Sequence, residues 1–309
     1  MLKTMKLSIG PIQYFWDRQR VQDFYQQAAD SSAQIIYMGE VICSKRRLIK
    51  PADWLAIANE LRQSGKEVIL SSLTLLEAAS EMSSLKKLCL NESFMVEAND
   101  ISAVQLLSEA GKAFVTGPSL NIYNGRSLRL LAQKGLKRWV LPVELGQETL
   151  KDLQTLRPEG VETEVFALGR LPLAYSARCY TARSHNLPKD DCQYKCLEYP
   201  DGTMLKTRED QEFLVLNGIQ TQSALTHQVL EQIPQLQALG VDVLRISPQY
   251  NHTFQIIDIF EAALNGSEPA PLLKELLKLL PLGACNGYMV EQAGMNYDPG
   301  ISNDAQQAV

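Results

Sequence analysis

The sequence lacks the patterns that define several common classes of protein. It has no run of about 18 apolar residues, so no membrane-spanning helix is predicted. It has no GxGxxG or GxxxxGK(S/T) loop, which argues against a dinucleotide or P-loop nucleotide site. It has no HExxH or GxSxG, and its three histidines, His185, His227 and His252, are isolated from one another. A zinc protease of the HExxH type or a serine hydrolase is therefore not indicated.

An excess of positive charge is also missing. The formal net charge is -5 and the isoelectric point is near 5.4, so we expect no nucleic acid as a partner and no anionic membrane surface. The first twenty residues have neither the apolar stretch nor the cleavage site of a signal peptide. We therefore expect a cytoplasmic protein. In a reducing compartment, clustered cysteines more often bind metal or do redox chemistry than form disulfides.

A repeated pattern runs through most of the chain: an amphipathic helix, a glycine and a short apolar run. The glycines, expected to end the helices, are Gly65, Gly111, Gly135, Gly160 and Gly240. The apolar runs are typical of strands buried on both faces of a parallel sheet. Eight strands are predicted: "LSIGPI", "QIIYMGE", "EVILSS", "FMVEA", "AFVTG", "RWVLPVE", "EVFAL" and "VLRIS". The pattern predicts an α/β fold, a (β/α)8 TIM-barrel-like domain over residues 1–295, with an open doubly wound sheet as the alternative.

The repeat is interrupted between Gly160 and Gly240. We expect an insertion over about residues 172–215, after a late barrel strand, because long insertions at that position often have functional roles. Its second part, "KCLEYPDGTMLKTREDQEFLVLNG", predicts a hairpin that turns at Pro200-Asp201-Gly202. Residues 296–309 form a polar tail that is expected to be disordered.

Polar residues occur where the predicted strands end, at the barrel face that holds the active site in such folds. They are Glu40, Ser71, Glu97, Asn121, Glu144 and Ser247. Together these residues are expected to surround the open end of the barrel, but they do not identify a reaction. Candidates for lining a substrate cavity are Glu40, Arg46, Arg47 and Asn121; all four can also be read as ordinary polar residues at loop ends.

The insertion holds three cysteines, in "AYSARCYTARSHNLPKDDCQYKC". Cys179, Cys192 and Cys196 lie in polar, basic sequence, and so does Cys43, which is followed by Lys45-Arg46-Arg47. Positive neighbours lower the pKa of a thiol and so favour a metal-binding thiolate. The spacing C-x12-C-x3-C is not diagnostic: an iron–sulfur cluster, zinc, a redox pair and inert thiols all remain open. Cys89 is expected to be a buried apolar residue, and Cys285 is ambiguous.

The stretch "EVFALGRLPLAYSARCYTARS" resembles the U32 peptidase-like family. Further segments resemble one branch of it, which acts in oxygen-independent ubiquinone biosynthesis: "SIGPIQYFW", "IIYMGEVICSKRR", "LPKDDC", "FLVLNGIQTQSA", "LRISPQ" and "CNGY". The resemblance implies a [4Fe-4S] cluster bound by Cys43, Cys179, Cys192 and Cys196. It also implies a heterodimer with a UbiU-like protein, and a UbiT-like lipid-binding accessory protein that handles the prenylated quinone precursor. The implied activity is hydroxylation of that precursor, with prephenate as the oxygen donor.

Two other functions remain possible at this stage. The chain could be a non-catalytic, metal-stabilised binding subunit, or, on the family name alone, a peptidase. If four cysteines bind the cluster, no iron keeps a free coordination position, which favours electron transfer or a structural role. The leucine-rich segment 271–283 is read as a final barrel helix or, alternatively, as an interfacial or partner-docking helix.

Overall fold

The structure, a computed structural model, describes residues 5–299. Within that range the chain forms twelve strands and ten α-helices. The strands are β1 (Lys6–Ile9), β2 (Ile35–Met38), β3 (Glu67–Ser71), β4 (Met95–Ala98), β5 (Phe114–Thr116), β6 (Leu136–Val140), β7 (Glu162–Tyr175), β8 (Thr203–Lys206), β9 (Glu212–Asn217), β10 (Gln220–Gln228), β11 (Val243–Ile246) and β12 (Ala284–Cys285). The helices are α1 (Arg18–Asp30), α2 (Pro51–Gln63), α3 (Ala79–Cys89), α4 (Ile101–Glu109), α5 (Gly125–Gln133), α6 (Gln147–Leu156), α7 (Tyr180–Ser184), α8 (Ile233–Ala238), α9 (Thr253–Leu264) and α10 (Pro269–Lys278).

Eight of these strands form a closed parallel barrel. Strands β1 to β7 pair in chain order, and β11 pairs in parallel with both β7 and β1, which closes the ring. A helix follows each barrel strand before the next begins, except that β7 and β11 are separated by a longer segment. The (β/α)8 prediction is confirmed, and each of the eight predicted strands is present.

Alternation along each strand separates two apolar layers. In β2, Ile36 and Met38 belong to the large core between barrel and helices, whereas Ile35 and Tyr37 belong to a smaller cluster inside the barrel. The outer core also contains the fully buried Trp139 of β6. Burying a large apolar side chain stabilises the fold by about 1.5–3 kcal/mol, so the outer layer provides most of the stabilisation.

The barrel interior also contains a network of buried charges. Arg245 donates from Nε to Glu164 Oε1 at 2.8 Å and from Nη1 to Glu97 Oε1 at 2.7 Å. Its guanidinium carbon lies 3.9 Å from the ring centroid of Tyr37, whose hydroxyl donates to Glu164 Oε2. Burial alone would raise the pKa of Glu164. The charge of Arg245 and its hydrogen bond, together with the charge of Arg138 and the hydrogen bond from Ser8, outweigh burial and lower that pKa below its usual value. These charges lie on strands far apart in sequence, so they hold the barrel in one register.

The glycines of the repeat end the helices at four of the five predicted positions. Gly65, Gly111, Gly135 and Gly240 follow the last residue of a helix cap and have positive φ, as predicted. Gly160 was predicted wrongly as a helix end. Helix α6 stops at Leu156 because a proline follows two residues later, and Gly160 belongs to the next turn, where Val161 N donates to Pro158 O.

The segment between β7 and β11 extends the barrel on one side. Strand β7 has 14 residues, and its second half pairs with β10, which pairs in turn with β9 and β8. The predicted hairpin exists, but its turn was placed wrongly. It lies at residues 207–211, where Thr207 N donates to Gln211 O, while Pro200-Asp201-Gly202 forms a turn before β8. Both turns have suitable residues, and only the strand pairing distinguishes them.

The last described residues are hydrogen-bonded to the rest of the fold. Asp298 N donates to Asn286 Oδ1 and Tyr297 Oη donates to Glu231, both at 2.8 Å. The rest of the tail for which we expected disorder, residues 300–309, lies outside the described residues.

The leucine-rich helix α10 packs against the barrel domain. It buries Leu273 and Leu276 and contacts α9, as expected of a final barrel helix. Among the helices of residues 5–299, none is both long enough and apolar enough to span a bilayer.

One buried histidine makes the stability of the fold depend on pH. His227 of β10 is 2% exposed, and burial lowers its pKa from 6.5 to about 4. Between these two values the unfolded chain binds a proton that the folded chain does not, so stability falls as the pH falls through that window. We expect this group to remove about 2 kcal/mol of unfolding free energy between pH 7 and pH 5, and we expect His227→Gln to abolish that part. Urea unfolding at both pH values measures it; an equal pH dependence in the variant would contradict the assignment.

Candidate metal centre

The loop after β2 positions Cys43. Gly39 has a φ of 127°, and a Cβ there would lie 2.8 Å from the carbonyl oxygen of Ser71, so only glycine fits this turn. The carboxylate of Glu40 then accepts hydrogen bonds from the backbone N–H groups of Ile42 and Cys43, at 2.9 and 3.0 Å. The loop is thereby folded back on itself, with the partly exposed Cys43 at its tip.

The other three cysteines lie in the segment that follows β7. Cys179 caps the short helix α7, and its sulfur accepts a hydrogen bond from Ala182 N at 3.4 Å. The segment is tied to the turn between β9 and β10, because Tyr180 N donates to Gly218 O and Gly218 N donates to the hydroxyl of Thr181. Cys192 and Cys196 flank Gln193 and Tyr194, two residues with positive φ that reverse the chain between them.

These two loops bring four cysteines onto one cavity of about 330 Å³, including its opening to solvent. All four are free thiols and partly exposed. The residues that line the cavity are Cys43, Lys45, Arg46, Cys179, Thr181, Ala182, Cys192, Tyr194, Lys195, Cys196 and Gly218. The structure thus brings together the four cysteines that sequence reasoning selected, in a wall that also contains three basic residues.

Two of these thiols lie near a buried positive charge. The guanidinium of Arg46 acts on the pKa of both Cys43 and Cys196 and lowers it. Burial nevertheless raises the pKa of both thiols above the usual value, and the positive charge of Arg46 offsets only part of that effect. The positive charge of Arg46 acts in the expected direction, but desolvation is the larger effect, so the net shift of both pKa values is upward.

Arg46 is the best-fixed charged residue of the site. Its side chain is 2% exposed; Nη1 donates to Gln13 O and Nη2 to Asn217 Oδ1, both at 2.7 Å. Nη1 also lies 3.7 Å from Glu40 Oε1, and burial raises the pKa of Glu40 although the charge of Arg46 opposes it. A buried guanidinium held this way is a fixed positive charge on the cavity wall.

The other predicted cavity residues are placed differently. Arg47 is exposed and donates from Nε to Ser44 O at 2.8 Å. Asn121 is exposed, in a left-handed conformation after the short turn Pro118–Leu120, on a loop that follows β5. Of the remaining strand-end residues, Ser71, Glu97 and Ser247 are buried, and Glu144 is exposed and accepts a hydrogen bond from Tyr123.

Two functional contributors were missed by sequence reasoning. Gln13 and Asn217 fix Arg46, and Asn217 Nδ2 also donates to Gln13 O at 2.8 Å. Gln13 follows β1 and Asn217 ends β9, so no sequence spacing connects them with Arg46. The only signal was that both lie inside segments already singled out, "SIGPIQYFW" and "FLVLNGIQTQSA".

The remaining cysteines lie in apolar surroundings. Cys89 is fully buried at the end of α3, as expected, and burial raises its pKa to about 11. Cys285 is 1% exposed in β12, beside His227 of β10, and burial raises its pKa to about 12. Neither is among the residues that line the four-cysteine cavity.

The side chains that line the cavity do not converge on the position of a single metal ion. Among residues 5–299, no group of three His, Cys, Asp or Glu side chains is close enough to hold one metal ion. The donor chemistry itself, four thiols with N–H donors and basic side chains around them, fits an iron–sulfur group.

Comparison with known families and structures gives matches over most of the chain. The model of Peptidase family U32 matches residues 16–298. Among solved structures, a U32 peptidase aligns at 10% identity with a TM-score of 0.44, covering 80% of this chain and 94% of that one. A protein described as a dihydrodipicolinate synthetase from Pseudomonas aeruginosa aligns at 11% identity and a TM-score of 0.46, covering 89% and 82%. A mutant tryptophan synthase α-subunit from Pyrococcus furiosus aligns at 12% identity and a TM-score of 0.44, covering 90% and 98%.

Proposed function

The chain belongs to Peptidase family U32, and we propose that it is the [4Fe-4S]-binding subunit of an oxygen-independent hydroxylase of ubiquinone precursors, similar to UbiV. In this proposal Cys43, Cys179, Cys192 and Cys196 bind the cluster. The partner is a UbiU-like protein, a UbiT-like protein presents the prenylated precursor, and prephenate donates the oxygen atom. We place the complex in the cytoplasm.

The observation that carries the proposal is the meeting of four cysteines from two loops. Cys43 follows β2 and the others follow β7, yet all four line one cavity. Chance thiols of a globular protein are usually buried among apolar side chains, as Cys89 is. The segments around the four cysteines are also those that resemble UbiV.

A cluster does not require the thiols to converge on one ion. Each thiolate of a [4Fe-4S] group binds a different iron atom, so the ligands surround the group and do not converge on one ion. If four thiolates bind the group, no iron retains an open position, so the group would supply one-electron transfer or a structural link between the two loops. A metal also releases the proton of each thiol, which overcomes the raised pKa of Cys43 and Cys196.

The chain's own residues have defined roles around that group. Arg46 presents a buried positive charge to the sulfur of Cys196 and is itself held by Gln13 and Asn217. The N–H group of Ala182 donates to the sulfur of Cys179 at 3.4 Å. Such donors stabilise negative charge on sulfur and tune the potential of the group.

The function is tested by reconstitution without oxygen. The chain and a UbiU-like partner are purified anaerobically and incubated with a prenylated phenol precursor, prephenate and a reductant or oxidant series. We expect a product one oxygen atom heavier, seen by mass spectrometry, only when both proteins and prephenate are present. Cys192→Ala should abolish product formation, whereas Cys285→Ala, whose thiol lies outside the cavity, should retain it.

Three outcomes would contradict the proposal. Product formed at the full rate by the partner alone would show that this chain is not needed for hydroxylation. Product formed at the full rate by the complex containing Cys192→Ala would show that the thiols of this chain are not needed, as expected of a binding subunit. Cleavage of peptides by the metal-loaded chain, lost in the cysteine variants, would show that it is a peptidase.

A further inference from the structure

One stretch of the segment after β7 forms a strap that borders the cysteine cavity. The strap, defined as residues 183–199, contributes Cys192, Tyr194 and Cys196 to the lining of that cavity. Cys43 lines the same cavity from the loop after β2, which belongs to the barrel. The four thiols are thus divided between the strap and a part of the site that the barrel positions.

Both ends of the strap are fixed to the fold. Thr181 and Ala182, which precede it, are 2% and 1% exposed, and Gly218 N donates to the hydroxyl of Thr181 at 3.0 Å. At the other end, Trp16 Nε1 donates to the carbonyl oxygen of Pro200 at 2.7 Å. The strap therefore begins and ends at anchored residues.

Between these anchors the strap has no core of its own. None of residues 183–199 is buried, and each of their backbone hydrogen bonds joins residues at most five positions apart. Asn186, Gln193 and Tyr194 have φ values of 55°, 49° and 53°, in the left-handed region that is unfavourable for residues other than glycine. The ring of Tyr194 lies 5.9 Å from that of Phe15 but remains 48% exposed. Segments with few buried contacts open at a lower free energy than the rest of a fold.

Two ion pairs hold the middle of the strap against neighbouring loops. Lys45 Nζ donates to Asp190 Oδ1 at 2.5 Å, and Lys189 Nζ donates to Glu77 Oε1 at 2.6 Å. The four side chains are between 30% and 94% exposed. Pairs this accessible to water are weak and are screened by salt, so they close the strap without locking it.

We propose that the strap opens about its two anchors in the metal-free protein and closes when Cys192 and Cys196 bind metal together with Cys43 and Cys179. Opening removes one side of the cavity and so gives incoming metal access to the cysteines that the strap does not carry. The opening follows from the contacts of the strap, whereas its closure by metal rests on the function proposed for the cysteines.

The opening is tested with chymotrypsin on the full-length, metal-free chain kept reduced. The strap offers this protease Tyr194 and Leu197, because prolines follow Leu187 and Tyr199. When a segment opens and closes quickly, its cleavage rate follows the population of the open form. We expect the first cuts after Tyr194 and Leu197, about tenfold faster than any cut within the barrel strands.

Removal of the two ion pairs should increase the open population. We expect the double variant Lys45→Met/Glu77→Gln to speed cleavage of the strap about threefold, because both pairs are lost. The matched control, Lys206→Met/Lys278→Met, removes exposed ion pairs outside the strap and should leave that rate unchanged. Neither variant alters a chymotrypsin site of the strap.

Closure is tested on the same chain after incubation with ferrous iron and sulfide without oxygen. Bound iron is measured before chymotrypsin is added. In a chain that binds about four iron atoms, we expect strap cleavage to be about tenfold slower, because ligands at Cys192 and Cys196 fix the backbone on both sides of Tyr194.

Three results would overturn the inference. First cuts outside the strap would show that it does not open separately from the fold. Equal strap cleavage in the two double variants would show that the ion pairs do not hold it. Unchanged cleavage of an iron-loaded chain would show that metal does not close it. A chain that binds no iron would instead contradict the proposed function, and the metal-free comparison would still decide whether the strap opens.

Discussion

Cys179→Ala is expected to remove nearly all iron and acid-labile sulfide from the anaerobically purified chain. The unaltered chain should contain about four of each, with the broad visible absorption of an iron–sulfur cluster that fades in air. Cys179 lies at the start of α7, where its sulfur accepts from Ala182 N, so the backbone fixes its position. Alanine leaves one iron without a ligand, and no spare thiol lines the cavity to replace it.

The controls are the two cysteines outside the cavity. Cys89→Ala and Cys285→Ala should keep the full iron and sulfide content, although each is expected to lose some unfolding free energy because it leaves a small void. Circular dichroism would establish that every variant is folded. Zinc in place of iron, no metal in the folded chain, or a full iron content in Cys179→Ala would each contradict the cluster assignment.

Arg245→Met is expected to lower the free energy of unfolding by about 3–5 kcal/mol at neutral pH. The change keeps an apolar stem of similar length but removes the only charge shown to pair with both Glu97 and Glu164 inside the barrel. Those buried carboxylates would then have to ionise without compensation or take up protons, and either costs stability. Urea unfolding followed by circular dichroism measures the loss.

Two further variants show whether this loss comes from burial of the charges. Arg18→Met breaks a pair with Asp53 in which the arginine side chain is 47% exposed, and it should change stability by no more than about 0.5 kcal/mol. Adding Glu97→Gln and Glu164→Gln to Arg245→Met should recover much of the loss, because neutral amides replace the unbalanced charges. A loss below about 1 kcal/mol in Arg245→Met would contradict the network as described.

The sequence predicts the barrel well because its periodicity is local. Five of the eight predicted strands follow a glycine that ends a predicted helix, and such signals depend on neighbours a few residues away. The hairpin turn was misplaced because residues 200–202 and 207–211 both suit a turn, and only pairing of β8 with β9 decides between them.

The charged interior of the barrel was not predictable from these patterns. Both faces of a barrel strand are buried, so Glu164 and Arg138 occur in runs that read as apolar, and their partners lie on distant strands. The four cysteines could be selected from their basic, polar setting and from family resemblance. That Cys43 meets the others follows only from the closed barrel. Arg47 and Asn121 show that a residue at a strand end can lie well outside a cavity when its loop turns to solvent.

The separation of the cysteine loops along the chain dictates an order of maturation. Cys43 lies near the start of the barrel and Cys196 near its end, so they cannot meet until the intervening strands have assembled. For a chain that takes up a cluster, the cellular machinery that delivers iron and sulfur must act on a nearly finished protein. If this chain takes up a cluster as proposed, the newly synthesised protein has to fold first without metal, stabilised by its barrel core and by the Arg245 network.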